Sequence, residues 1–77
     1  MKNGGQYQRG SFELYERQAQ IAKAFSSPVR LQMVDLLSVG ERSVSELQAE
    51  LGISGTNASQ HLAILKAAGV VSTRRAG

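Results

Sequence analysis

Two carboxamide side chains, those of Asn57 and Gln60, stand three residues apart in a stretch of small polar residues. A carboxamide presents a donor and an acceptor side by side, and this pair matches the N6 and N7 atoms of adenine in a major groove. Thr56 adds a methyl group that can contact the methyl group of thymine. These residue types indicate base or backbone contacts with a nucleic acid; the alternative is a polar helix face that meets only water.

Cationic side chains follow this polar stretch, at Lys66, Arg74 and Arg75, and residues 51–77 contain no Asp or Glu. Small uncharged side chains can contact base edges in a DNA groove, and the cations that follow them can contact the phosphates beside it. Base contacts specify the sequence, and phosphate contacts position the protein. Arg74 and Arg75 can also enter a minor groove as a wing tip. A solvated chain terminus is the alternative for the two arginines.

His61 is the only histidine, and the chain contains no cysteine. A lone histidine forms neither a metal site nor a catalytic triad, and we find no paired carboxylates and no Gly-rich phosphate loop. We therefore expect no enzyme, no cofactor and no metal. The helical pattern puts His61 at the edge of a buried stripe, so it either packs or bonds to backbone, or it contacts phosphate.

These polar residues fall on the second of two helices predicted within about residues 44–67. A capping box starts the first helix at Ser43, Gly52 ends it, and Ser54 caps a longer helix over about Gly55–Ala67. A short helix, a Gly-centred turn and a longer helix have the spacing of a helix-turn-helix. The candidate DNA contacts on and around the longer helix are Ser54, Thr56, Asn57, Ser59, Gln60, His61 and Lys66.

Two further helices are predicted upstream. The first starts with Ser11 as its N-cap and is apolar over roughly half of its circumference. So broad an apolar face predicts packing both on its own domain and on a partner protomer; a single broad core contact is the alternative. The second begins at Ser27 and Pro28, is stopped by Gly40, and carries Arg30 on its exposed side. The candidate dimer residues are Phe12, Leu14, Tyr15 and Ile21.

The ends of the chain are predicted to differ from its centre. Residues 1–10 are interpreted as a flexible N-terminal arm, or alternatively as a basic arm that touches phosphate, and residues 11–77 as one domain. Val70–Thr73 favour a short β-strand. The longest apolar run has four residues, so we expect no membrane span, no signal peptide and a cytoplasmic protein.

Three segments together resemble the ArsR/SmtB (arsenic-repressor-type) family of winged-helix transcriptional regulators: SSPVRLQMVDLL, ERSVSELQAELGIS and NASQHLAILKAAGVVSTRRAG. The resemblance covers about residues 19–77. Its most specific pieces are Pro28 with Arg30, Leu47–Ser54, and Ser59–Leu62 leading to Ala68–Val71. It implies a mostly α, winged helix-turn-helix fold with four helices and a short strand. It also implies a homodimeric repressor of double-stranded DNA on an inverted-repeat operator, and it supports a phosphate contact for His61.

The chain departs from that family in two ways. Members usually continue beyond the position of Gly77 with a second wing strand and a dimer-forming helix, so we expect an incomplete wing here. Many members also have a Cys-x-Cys metal motif where this chain has Ser43 and Ser45. Serine hydroxyls are poor ligands for soft or borderline metals, so no metal site is expected there.

Two other functions remain open from the sequence. A winged-helix protein-interaction module would use the apolar first helix, but it would have no need of a small neutral face backed by Lys66, Arg74 and Arg75. A nonspecific nucleic-acid binder would use the basic ends alone, since the net charge is +3. It would bind every sequence equally and with a steep salt dependence.

Overall fold

The computed structural model describes residues 9–72, and this part of the chain folds into four helices. They are α1 (Arg9–Ala24), α2 (Pro28–Val39), α3 (Val44–Leu51) and α4 (Gly55–Ala67). The prediction of a mostly α chain with four helices is therefore confirmed. None of these helices, within the described range, combines the length and the apolar content that a bilayer crossing needs.

Serine caps start three of the helices where the sequence predicts them. The side-chain oxygens of Ser27, Ser43 and Ser54 accept the backbone N–H three residues later, at 3.3, 3.1 and 3.1 Å. The carboxylate of Glu46 accepts the backbone N–H of Ser43 at 2.8 Å and completes the capping box. Each cap stabilises its helix by about 1 kcal/mol, and together they fix where α2, α3 and α4 begin.

The first helix begins earlier than predicted. α1 includes Arg9 and Gly10, so Ser11 lies inside the helix and is not its N-cap. An N-cap residue has a non-helical backbone conformation, whereas Ser11 follows two residues that are already helical. The last two residues assigned to the flexible arm are therefore helical, and residues 1–8 lie outside the described residues.

Five apolar side chains are fully buried and form the core, with at least one from each helix. α4 lies at the centre, because it packs against all three of the other helices. Leu51, Ile53 and Leu62 are partly buried and pack around this core. Val44 is 38% exposed at the start of α3. The core residues are Ala24, Met33, Leu47, Ala58 and Leu65.

The described part of the predicted strand, residues 70–72, is not a strand. Gly69 adopts a left-handed conformation with φ 75°, and the next amide, that of Val70, donates to the carbonyl of Leu65 at 3.0 Å. That amide completes the end of α4, so it is not available to a ladder. Val70 and Val71 instead pack partly buried against the core. Thr73 and the predicted wing tip lie outside the described residues.

Gly52 ends α3 in the left-handed region, with φ 68° and ψ 37°. We predict that Gly52→Ala lowers the free energy of unfolding by about 1–2 kcal/mol, because a Cβ destabilises this conformation. A Cβ at Gly52 meets nothing within 4 Å, so the effect is conformational and not steric. Urea unfolding followed by circular dichroism measures it.

Gly40 provides the matched control, because its φ of 177° is extended backbone that any residue adopts. A Cβ there lies at an ordinary 3.5 Å from the Arg42 guanidinium. Gly40→Ala is expected to be neutral or to stabilise by up to about 1 kcal/mol. An equal loss in both variants would show that the left-handed turn is not what Gly52 supplies.

Candidate nucleic-acid interface

The turn between α3 and α4 is tight and is closed by hydrogen bonds to one carbonyl. The backbone N–H groups of Gly52 and Ile53 both donate to the carbonyl of Gln48, at 2.8 and 3.3 Å. A Cβ at Gly55 would lie 3.2 Å from the Gln48 side-chain oxygen, so glycine lets that side chain lie close to the start of α4. Gln48 therefore closes the end of α3 with its carbonyl and lies with its side chain against the start of α4.

α4 separates a buried side from an exposed side. Ala58 and Leu65 are fully buried, and Leu62 is partly buried beside them. The exposed side carries short polar side chains and small apolar ones, followed by one cation in the last turn, and it includes most of the candidate contacts. These exposed residues are Thr56, Asn57, Ser59, Gln60, Ala63, Lys66 and Ala67.

Ser54 lies at the start of this surface and has a structural role as well. It is exposed, and its side-chain oxygen accepts the backbone N–H of Asn57 as the N-cap of α4. The hydroxyl proton is not used by the cap, so Ser54 can still donate to an acceptor such as phosphate. Ser43 likewise uses its side-chain oxygen as a cap.

The two acidic side chains of α3 have their hydrogen-bond partners outside α4. Glu46 closes the capping box of α3, and Glu50 accepts from Arg42 at 3.0 Å in a salt bridge on the other helix of the pair. Lys66 lies exposed in the last turn of α4. A polyanion bound along α4 would therefore contact a cation, and α4 itself carries no carboxylate that would repel it. Arg74 and Arg75 lie outside the described residues.

His61 is half-buried and contacts a residue that the sequence did not connect with it. Its Nδ1 atom lies 3.0 Å from the Nη1 atom of Arg30. Arg30 was predicted to be exposed, and this is wrong: it is only 8% exposed. The last carbonyls of α1 need partners, and the Arg30 Nε and Nη2 atoms donate to those of Ala24 and Lys23, at 3.0 and 2.9 Å.

A local signal for the position of Arg30 was present in the sequence. Arg30 follows Pro28 by two residues at the start of α2, directly after the end of α1. Cations are favourable beside the carboxyl end of a helix, so an arginine just after a short turn is a candidate cap for the preceding helix. The contact with His61, 31 residues away, had no such signal.

The apolar face of α1 is not covered by the helices described here. From Ser11 onward, Ala24 is the one α1 side chain that is fully buried, whereas Leu14 is 61% exposed. A single broad core contact therefore does not account for the apolar half of this helix. The exposed large apolar side chains on α1 and directly after it are Phe12, Leu14, Tyr15, Ile21 and Phe25.

Residues 27–73 match the family described as bacterial regulatory protein, arsR family. A biofilm growth-associated repressor of Xylella fastidiosa is 46% identical over 57 residues, which are 74% of this chain and 50% of that protein. The HTH-type transcriptional repressor SmtB of Mycobacterium tuberculosis is 40% identical over 65 residues, or 84% and 48% of the two chains.

An uncharacterized HTH-type transcriptional regulator of Mycobacterium tuberculosis is 40% identical over 65 residues, covering 83% of this chain and 57% of the regulator. The chain spans about half the length of the curated relatives it matches. No solved structure matches it.

Proposed function

The chain belongs to the bacterial arsR family of regulatory proteins, and from this premise we propose that it is a sequence-specific repressor that binds an inverted-repeat operator as a homodimer. The observation that carries the proposal is the exposed side of α4, which is small, polar and free of carboxylates. A helix with this surface enters a major groove without steric or charge conflict. The family and the names of its relatives support transcriptional regulation in the general sense.

In the proposed complex, the amino-terminal half of α4 reads base edges, as in other helix-turn-helix proteins. Asn57 and Gln60 are exposed there and are the candidates for bidentate pairing with adenine. Thr56 provides the methyl contact with thymine. The operator is therefore expected to contain A·T pairs in each half-site, and a footprint on a G·C-only site without symmetry would contradict this expectation.

Phosphate contacts are assigned to the residues around that reading helix. Ser54 and Ser59 can donate through their hydroxyls, and Lys66 supplies a positive charge at the far end of α4. His61 is the remaining candidate on α4. Contacts from a wing through Arg74 and Arg75 stay a prediction, because both lie outside the described residues.

The homodimer is proposed to form through α1. Its exposed apolar side chains, among them Leu14 and Tyr15, lie along one half of the helix. A second copy of the same helix would cover them, because a twofold interface brings one patch against itself. A twofold dimer presents two copies of α4 to DNA, and this symmetry matches an inverted repeat.

Fluorescence anisotropy tests the proposal, with DNA from upstream of the chain's own gene against a scrambled duplex at two salt concentrations. Preference for the upstream DNA that persists at the higher salt supports a repressor that reads sequence. Equal and salt-sensitive binding to both duplexes contradicts it and indicates phosphate contacts alone. No binding at low salt by a folded protein would favour a protein-interaction module that uses the apolar face of α1.

Gln60→Ala is expected to relax the preference at one base pair of each half-site by about tenfold, since a bidentate pair contributes about 1–3 kcal/mol of discrimination. Affinities for a panel of operators with single base-pair changes measure it. Gln32→Ala, at an exposed position on α2, is the matched control and should keep every preference. An unchanged panel for Gln60→Ala would remove this residue from the reading surface.

A further inference from the structure

Arg30 joins three helices through one buried guanidinium. Its Nε and Nη2 atoms donate to the last carbonyls of α1, and its Nη1 atom lies 3.0 Å from Nδ1 of His61 on α4. Arg30 itself belongs to α2. All three nitrogen atoms of the planar group are therefore engaged in directed bonds, which holds the group in one orientation.

This contact determines where the proton of His61 lies. Arginine only donates hydrogen bonds and stays protonated in proteins. Nδ1 of His61 must therefore accept the hydrogen from Arg30, and the ring is then neutral with its proton on Nε2. The opposite tautomer would place two N–H groups against each other at 3.0 Å.

The Nε2–H group has no hydrogen-bond partner among residues 9–72. Among residues 9–72, the His61 side chain forms a hydrogen bond with Arg30 through Nδ1. No buried side-chain nitrogen or oxygen in this range lacks a hydrogen-bond partner. Because Nε2 has no partner there, it is not fully buried, and the ring itself is half-buried. On a helix, position 61 lies about 40° around the axis from Asn57, so this donor flanks the reading surface.

We infer that Arg30 is a positioning residue for DNA binding, which sets His61 so that Nε2–H donates to a backbone phosphate. The inference rests on the proposed function. A cation that donates to Nδ1 also polarises the ring and strengthens the donor at Nε2. The same guanidinium holds the carboxyl end of α1, so it ties the proposed dimer helix to the proposed reading helix.

Two substitutions of His61 distinguish the roles of its two ring nitrogen atoms. His61→Asn keeps an acceptor near the position of Nδ1 and removes the outward donor, whereas His61→Gln keeps an outward N–H and removes the acceptor for Arg30. We expect operator affinity to fall about tenfold in both variants, the loss expected for one bond to a charged group. Affinity of His61→Gln equal to wild type would show that the donor needs no anchoring, and would overturn the inference.

Arg30→Lys tests the positioning itself. Lysine keeps the charge but lacks the planar fork. We expect it to weaken operator binding about tenfold in the wild-type background and less than about twofold in the His61→Gln background, where the bond is already absent. A merely structural role of Arg30 predicts the same loss in both backgrounds, and that result would overturn the inference. Circular dichroism and thermal unfolding of each variant control for folding.

The tautomer gives a readout that does not depend on DNA or on a stable Arg30 variant. Long-range proton–nitrogen NMR spectra of the wild-type protein at about pH 8, above the usual titration range of histidine, should show the proton of His61 on Nε2. A proton on Nδ1 would overturn the inference. Wild-type protein that prefers no operator would overturn the proposed function and this inference together, whereas operator preference with no Arg30–His61 coupling overturns only the positioning role.

Discussion

Leu14→Glu is expected to weaken operator binding at least about 100-fold while the monomer keeps its fold. Leu14 is 61% exposed and is the most exposed of the large apolar side chains on α1. A carboxylate there is solvated in the monomer, so helix content and the thermal midpoint should change little. In a twofold dimer the substitution places two carboxylates in an apolar interface, where an unpaired buried charge destabilises by about 3–5 kcal/mol.

Sedimentation velocity at several protein concentrations measures the oligomer, and anisotropy with the operator measures affinity. Gln20→Glu is the matched control, because it adds the same charge on the same helix, about 120° away around the axis. We expect Gln20→Glu to keep both the dimer and the affinity. A Leu14→Glu protein that still dimerises, or a wild-type chain that is monomeric when bound to operator, would contradict dimerisation through this face.

Leu47→Ala is expected to lower the free energy of unfolding by about 2–5 kcal/mol. Leu47 is fully buried, and it is one of the three largest fully buried side chains in residues 9–72. Removing a buried leucine side chain loses its transfer free energy and leaves a cavity. Domains of this size are often stable by only about 5 kcal/mol, so the loss is a large share of the total.

Leu31→Ala is the control for this change, since Leu31 lies on α2 and is 50% exposed. It deletes the same atoms from a position that contributes little to the core, and we expect a cost below about 1 kcal/mol. Urea unfolding followed by far-ultraviolet circular dichroism compares the two variants. Equal losses would mean that Leu47 does not occupy the centre of the core.

Helix limits were predictable where a short-range signal sets them. Hydrogen bonds between residues at most four positions apart fix most helix ends. They are formed at Ser27 before Pro28, at the capping box of Ser43, and at Gly52 and Ser54. The exposed side of α4 was predictable for the same reason, because periodicity within one helix decides which residues share a face.

The structure differs from the sequence-based predictions where the conformation or burial of a residue depends on distant residues or on a partner. Arg30 is buried because it bonds to the end of α1 and to His61, which is 31 residues away in the chain. The strand predicted at residues 70–72 could form only with a second strand to pair with. The amide of Val70 instead donates to the end of α4. The breadth of the apolar face of α1 predicted that part of it would be left for a partner protomer, but which of its side chains stay exposed could be learned only from where the other helices pack.

The short connections between the helices set the pace at which the chain folds. Residues 25–27, 40–43 and 52–54 join successive helices, although α4 packs on α1 and α2 as well as on its neighbour α3. Small helical domains fold in microseconds to milliseconds. A ribosome adds about 5–20 residues per second, which leaves roughly 50 ms or more for each addition. Folding of the four-helix unit is therefore fast compared with the time that the addition of one amino acid takes.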